Sequence, residues 1–244
     1  MSNLRFFSPV PLQVGQSVNL SENAAMHATK VMRLKIGDSL TLFCGDGFDC
    51  RATLLSLEKK SVTARVDVRT KIDNESPLNI QLLQGISSGD RMDYTIQKAV
   101  ELGVRDIFPI NAERSVIKLN AERAEKRLDH WQGVAIAACE QSGRAFVPKI
   151  HGPQTLAQWL SQHDFQQDLN ILLNPIGAKK LAQLTKPNGK IHLLIGPEGG
   201  LSANEIALAS EHQFQSIVLG PRILRTETAA LTAIASMQVV WGDF

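Results

Sequence analysis

Ile191-His-Leu-Leu-Ile-Gly-Pro-Glu-Gly-Gly-Leu-Ser-Ala-Asn-Glu205 decides how this chain folds. It opens as a short, almost wholly apolar run and stops at Gly196-Pro197. Ser202 and Glu205 then stand three apart, the spacing of a capping box that starts a helix. A strand apolar on both faces belongs in a parallel sheet covered by helices. The glycines let the backbone approach a ligand closely, and Pro197 stiffens the turn. Leu169-Asn-Ile-Leu-Leu173 leads in the same way into Asn174-Pro-Ile-Gly177, and Gln215-Ser-Ile-Val-Leu219 into Gly220-Pro-Arg-Ile-Leu-Arg225. Three such strand-loop-helix units predict a parallel α/β domain with its ligand site at the carboxyl ends of the strands.

Working towards the N-terminus, Val104 to Ile110 reads as a further strand, and so does Ile80-Gln-Leu-Leu-Gln84. Between them Asp90 stands where an N-cap belongs. Met92, Ile96, Ala99 and Val100 then form one helical face that ends at Gly103. Asn120 is placed to cap a long helix with Leu128, Trp131, Ala135 and Ala138 on its apolar face, and Thr155 to cap another with Leu156, Trp159 and Leu160. Before residue 70 the rhythm differs. Val18–Leu20, Ser39–Phe43, Arg51–Leu57 and Ser61–Val68 are β-prone, punctuated by Gly37-Asp38, Gly45-Asp-Gly47 and Glu58-Lys-Lys60, with a short helical stretch from Glu22 to Lys30. This pattern predicts a small β-barrel. The polar, proline-ended stretch Lys71–Pro77 separates it from the α/β portion, so the expected division is 1–72 and 73–244.

At 244 residues, 43% hydrophobic and 20% charged, the chain has enough apolar side chain for a real core. No apolar run is long enough for a membrane helix, and the N-terminus lacks a signal-peptide pattern, so a cytoplasmic protein is expected. The cysteines Cys44, Cys50 and Cys139 have no zinc spacing, and the six histidines form no metal-binding pair, so no metal is expected. A net charge of +2 does not by itself call for nucleic acid. The glycine-rich turn matches neither the P-loop nor the G-x-G-x-x-G dinucleotide fingerprint.

Leu219-Gly-Pro-Arg-Ile-Leu-Arg-Thr-Glu-Thr-Ala229 is the second informative segment. Thr226 reads as the N-cap of the last helix, and Glu227 in its first turn suits the helix dipole. Arg222 and Arg225 do not suit it, because cations are disfavoured at a helix N-terminus. That misfit points to a ligand or RNA role for Arg225.

The blocks Ile195–Ser202 and Leu219–Ala229 resemble those of the SPOUT class of methyltransferases, and within it the bacterial family that methylates N3 of a uridine in 16S ribosomal RNA. Glu75-Ser-Pro77, Met92–Gly103, Glu113-Arg114, Ala137–Arg144 and Val31-Met-Arg-Leu34 carry further likeness. The resemblance covers nearly the whole chain. It implies a PUA-like RNA-binding barrel over 1–72. Over 73–244 it implies a SPOUT α/β domain with a deep trefoil knot, working as a homodimer on 16S rRNA or the small subunit. It also implies S-adenosylmethionine as cofactor, with S-adenosylhomocysteine as product. The implied pocket is lined by Leu173, Asn174 and Pro175, by Ile195, Gly196, Pro197, Glu198, Gly199 and Gly200, and by Leu219, Gly220, Pro221, Ile223, Leu224 and Thr228.

N3 of uracil carries a proton and is a poor nucleophile until that proton leaves. Catalysis therefore needs alignment and stabilisation of a uracil anion. Arg225 is the candidate cation. Glu227 or Glu198 is the candidate proton acceptor, or the group that orients Arg225. The target base must leave any stack to reach the methyl group. Candidate RNA contacts are Arg5, Lys30, Arg33 and Lys35 in the first domain, and Lys98, Arg114, Lys118, Arg144 and Arg222 in the second. Two rival readings are a knotted ribose 2′-O-methyltransferase and a catalytically silent RNA-binding protein of the same fold.

Overall fold

The computed structural model describes residues 4–58, 61–117, 120–163, 167–174, 176 and 179–244. They fall into two compact units, one made of Met1–Glu75 with Ile136–Val147, the other of Ser76–Ala135 with Pro148–Phe244. The stretch 136–147 lies in a long helix and the loop after it, so sequence order alone does not divide the chain.

The first unit is built on a mixed sheet. Its strands are β1 (Arg5–Phe7), β2 (Ser17–Asn19), β3 (Ser39–Phe43), β4 (Phe48–Glu58) and β5 (Ser61–Lys71), hydrogen-bonded in the order β1-β3-β4-β5-β2. Only the β1–β3 pair is parallel. Strands β4 and β5 alternate buried and exposed positions along much of their length, as a sheet with one wet face requires. Cys50, Ala52, Leu54, Val62, Ala64 and Val66 point into a core closed by Phe6, Leu40 and Leu42. The helical stretch expected at 22–30 is one turn and a half of helix α1 (Glu22–Met26), capped by Ser21, running into a π-helical turn at His27–Val31.

The second unit is a seven-stranded sheet. Strands β6 (Ile80–Gly85), β7 (Asp106–Ile110), β8 (Lys149–Ile150), β9 (Leu169–Leu173), β10 (Lys179–Lys180), β11 (Ile191–Ile195) and β12 (Gln215–Val218) run in the order β10-β12-β9-β11-β6-β7-β8, and every pairing is parallel. All of β6 and β11 is buried, which accounts for their near-continuous apolar composition. His192 is tolerated there because Asp168 meets its Nε2 at 2.9 Å.

The helices are α2 (Arg91–Glu101), α3 (Ala121–Ser142), α4 (Leu156–Leu160), α5 (Ala203–Glu211) and α6 (Thr226–Trp241). Asn120 does cap α3, its side chain accepting from the Arg123 N–H at 2.9 Å, and Thr155 and Ser202 form full capping boxes on α4 and α5. Asp90 stands at the start of α2 without a side-chain capping bond. The expectation of a helix after β9 fails. Among the described residues β9 is followed by the short β10 and a 3-10 turn, not by an α-helix.

Candidate active site

Strands β12, β9 and β11 are neighbours and parallel, so their carboxyl ends lie along one edge of the sheet. The turns that leave them line one cavity of about 680 Å³. Leu172 and Leu173 come from the end of β9, and Asn174 and Ile176 from the first turn, after it. Ile195, Gly196, Pro197, Glu198, Gly200 and Leu201 come from the second, and Ile223, Leu224, Arg225, Thr226 and Glu227 from the third. A smaller cavity of about 110 Å³ shares Leu173, Asn174, Ile223 and Leu224 with it and adds Leu219 and Arg222.

The two Gly-Pro segments are joined directly. Thr226 Oγ1 donates to the Gly196 carbonyl at 2.6 Å and accepts from Gln84 Nε2 at 2.8 Å. This corrects the expectation that Thr226 is the N-cap of α6. That place belongs to Arg225, with no side-chain capping bond, because the Thr226 hydroxyl is committed to the neighbouring turn. Gly85, at the end of β6, lies directly under Pro197, where a Cβ would run into the Pro197 nitrogen. Gly200 holds φ at +69°, a conformation that favours glycine.

Three arginines line the cavity: Arg91, Arg114 and Arg225. Arg91 is paired with Glu198 at 2.9 Å. Arg225 is exposed, and no ion-pair partner for it stands among the described residues. The two candidate carboxylates differ sharply. Glu198 Oε1 accepts from Ser88 N and Ser88 Oγ, both at 2.8 Å, and from Arg91. Partial burial raises its pKa, but the bonds from Ser88 and Arg91 outweigh that and hold the carboxyl below the ordinary glutamate range. Glu227 Oε2, in contrast, is buried with no hydrogen-bond partner among the described residues.

Of the other expected cofactor contacts, Gly199, Gly220, Pro221 and Thr228 are exposed and line neither cavity, while Pro175 lies outside the described residues. Gly199 instead packs against the Arg114 backbone. Two expected RNA contacts are corrected. Arg5 is 3% exposed and lies over the Phe43 ring. Its guanidinium bonds Asp49 at 2.7 Å and the carbonyls of Cys139 and Arg144 at 2.6 and 2.8 Å. Arg144 is equally buried and grips Glu75 at 2.6 Å. Both guanidiniums hold the first unit together. Lys98 is paired with Glu101 on its own helix at 2.7 Å. Lys30, Arg33, Lys35, Arg114 and Arg222 are exposed, and Lys118 lies outside the described residues. Gln84, Ser88 and Arg91 were not anticipated, since nothing in local sequence pattern marks a side chain that reaches more than a hundred residues along the chain.

The parallel α/β unit with its glycine-turn cavity and the separate β unit are those of an RNA methyltransferase, as the family matches show. Residues 74–238 match the RNA methyltransferase domain family, and residues 20–67 match the RNA methyltransferase PUA domain. The chain belongs to the family of ribosomal RNA small subunit methyltransferase E. The protein of that name from Buchnera aphidicola (strain APS) is 34% identical over 98% of this chain and 94% of its own length. That from Bacillus subtilis is 34% identical over 86% and 85%. The crystal structure of the Neisseria gonorrhoeae enzyme bound to S-adenosyl methionine is similar at 45% identity, with a TM-score of 0.91 over 98% of each chain. A Legionella pneumophila structure in complex with bound SAM is similar at 38% identity, with a TM-score of 0.95 over 100% of each.

Proposed function

We propose that this protein transfers a methyl group from S-adenosylmethionine to N3 of a uridine in the 16S RNA of the small ribosomal subunit. The observation that carries the reading is the convergence of the Gly196–Leu201 and Ile223–Glu227 turns on one cavity, bridged by the Thr226–Gly196 bond. The cavity fits the cofactor. Its size lies within the roughly 300–1,000 Å³ of small-molecule sites. Leu172, Ile195, Leu201, Ile223 and Leu224 offer apolar walls for an adenine, and the glycines offer backbone groups for its edge.

When bound, S-adenosylmethionine supplies a methyl group on a cationic sulfur and leaves as S-adenosylhomocysteine. The residues of the chain do the rest. Glu227 takes the proton from N3, and the N–H electron pair stays on the uracil anion as the nucleophile for the methyl carbon, whose bond to sulfur breaks in the transfer. Its buried Oε2, without a partner among the described residues, suits that role better than Glu198, whose Oε1 already accepts three bonds. Arg225 holds the carbonyl oxygens on which the uracil anion concentrates its charge. The rival ribose 2′-O reaction would need no such anion, and an RNA-binding protein without activity would need neither group.

The first unit, with exposed Lys30, Arg33 and Lys35, serves as the RNA-binding barrel, and Arg114 and Arg222 take backbone phosphates near the cavity. The trefoil knot of the SPOUT class, a cytoplasmic location and a homodimer belong to the same reading. Ile176 and Ile223 at the cavity rim are 80% and 93% exposed, and Val239, Val240 and Phe244 at the end of the chain are exposed as well, which supports burial against a second copy. The test is nucleoside mass spectrometry of 16S rRNA from a deletion strain. Loss of one N3-methyluridine supports the reading, and an unchanged modification profile overturns it.

A further inference from the structure

The segment from Gln84 to Arg91 meets the glycine-rich turn at several points. Gln84 reaches the Gly196 carbonyl through Thr226. Gly85 gives up its side-chain space to Pro197. Ser88 and Arg91 hold Glu198 by its Oε1. A carboxylate that accepts three donors, one of them a guanidinium, is a strong anchor, since charge-assisted bonds are shorter and stronger than neutral ones.

We propose that Ser88 and Arg91 are positioning residues that clamp Glu198 and so preset the Pro197–Gly200 turn in its ligand-binding shape. This inference rests on the methyl-donor reading of the cavity. Glu198 is then a strut rather than a proton acceptor. A turn with several glycines has many conformations to lose on binding, and a turn already fixed has fewer, so the clamp acts on donor affinity and not on the chemical step. The charged groups that line the cavity with Glu198 are Arg91 on α2, Arg114 ahead of α3, and Arg225 and Glu227 at the start of α6. Among the described residues, Arg91 is the one of these that bonds it.

Two readouts separate the clamp from the donor reading. The first uses the protein without ligand: amide hydrogen exchange of residues 198–200 in wild type, Ser88→Ala, Arg91→Ala and Arg91→Lys. The second is calorimetry with S-adenosylhomocysteine, alongside kcat at saturating donor. In Arg91→Ala the exchange is faster and the dissociation constant rises about tenfold, the scale of one lost charge-assisted bond. Meanwhile kcat stays within about twofold, and Arg91→Lys restores most of the affinity. Unchanged exchange in both alanine variants overturns the clamp whatever the ligand. Faster exchange with unchanged affinity overturns its role in positioning, and so does a collapse of kcat with affinity intact. No binding of S-adenosylhomocysteine by wild type would instead overturn the donor reading, with the exchange result still deciding the clamp.

Discussion

Glu227 and Glu198 sit on one cavity with opposite surroundings, and the surroundings decide what each can do. Glu198 has a lowered pKa and accepts three bonds at Oε1, so Glu198→Gln should weaken donor binding and leave the rate at saturating donor nearly unchanged. Glu227→Gln keeps the shape but cannot take a proton, so it should lower kcat by a factor on the order of 10² to 10⁴ with donor affinity unchanged. Steady-state kinetics of the two variants checks the assignment, and the reverse pattern would exchange their roles. The Glu198 anchor also has a pH signature. Its pKa is lowered in the folded protein, so the clamp is complete above the ordinary glutamate pKa and is lost as pH falls through the lowered value. Donor affinity in wild type should therefore persist into mild acid, and Arg91→Ala should lose it at a higher pH. At this scale a residue that breaks a local rule, as Arg225 does, marked a position that lines the cavity. The sequence misled where a basic side chain finds its acid far along the chain. Arg5 meets Asp49 and Arg144 meets Glu75 across separations of 44 and 69 residues, and no local pattern reveals such a pairing.

Most elements follow from local chemistry. The apolar runs of β6, β9 and β11 became buried parallel strands, and Ser202, Thr155 and Asn120 cap the helices that their spacing announced. The exceptions lie where tertiary demand won. The hydroxyl of Thr226 caps nothing because it ties two turns together. The chain after β9 makes a short edge strand where a helix was expected. The Gln84–Arg91 segment has the local pattern of a plain connection because its role exists only once Pro197 and Glu198 are folded against it. Ser202→Ala removes one cap and should cost about 1 kcal/mol. Leu194 on β11 is fully buried in the core with Leu83, Leu172 and Trp159, and Leu194→Ala should cost about 2–5 kcal/mol. Urea unfolding followed by circular dichroism measures both, and equal losses would contradict this division between cap and core.

The molecule has a β unit carrying exposed cations and an α/β unit carrying the cavity at the carboxyl ends of its strands. If Lys30, Arg33 and Lys35 meet phosphate, replacing all three with alanine should weaken binding of 16S rRNA and flatten its salt dependence, by roughly one unit of log-log slope for each phosphate no longer neutralised. A filter-binding titration across salt concentrations reads this directly, and an unchanged slope would remove them from the interface. The apolar residues at the end of α6 and at the cavity rim predict a dimer, so sedimentation should give twice the mass of the chain. A monomer at micromolar concentration would contradict that.

The central claim is that the joined turns hold a methyl donor beside Arg225, which steadies a uracil anion. Its most direct test is single-turnover transfer from methyl-labelled S-adenosylmethionine to 16S rRNA of the deletion strain, with wild type and Arg225→Ala compared at saturating donor. Wild type should place the label as N3-methyluridine, and Arg225→Ala should lose about a hundredfold or more of the rate at unchanged donor affinity. Label on a ribose 2′-oxygen, or transfer by Arg225→Ala at the wild-type rate, would contradict it.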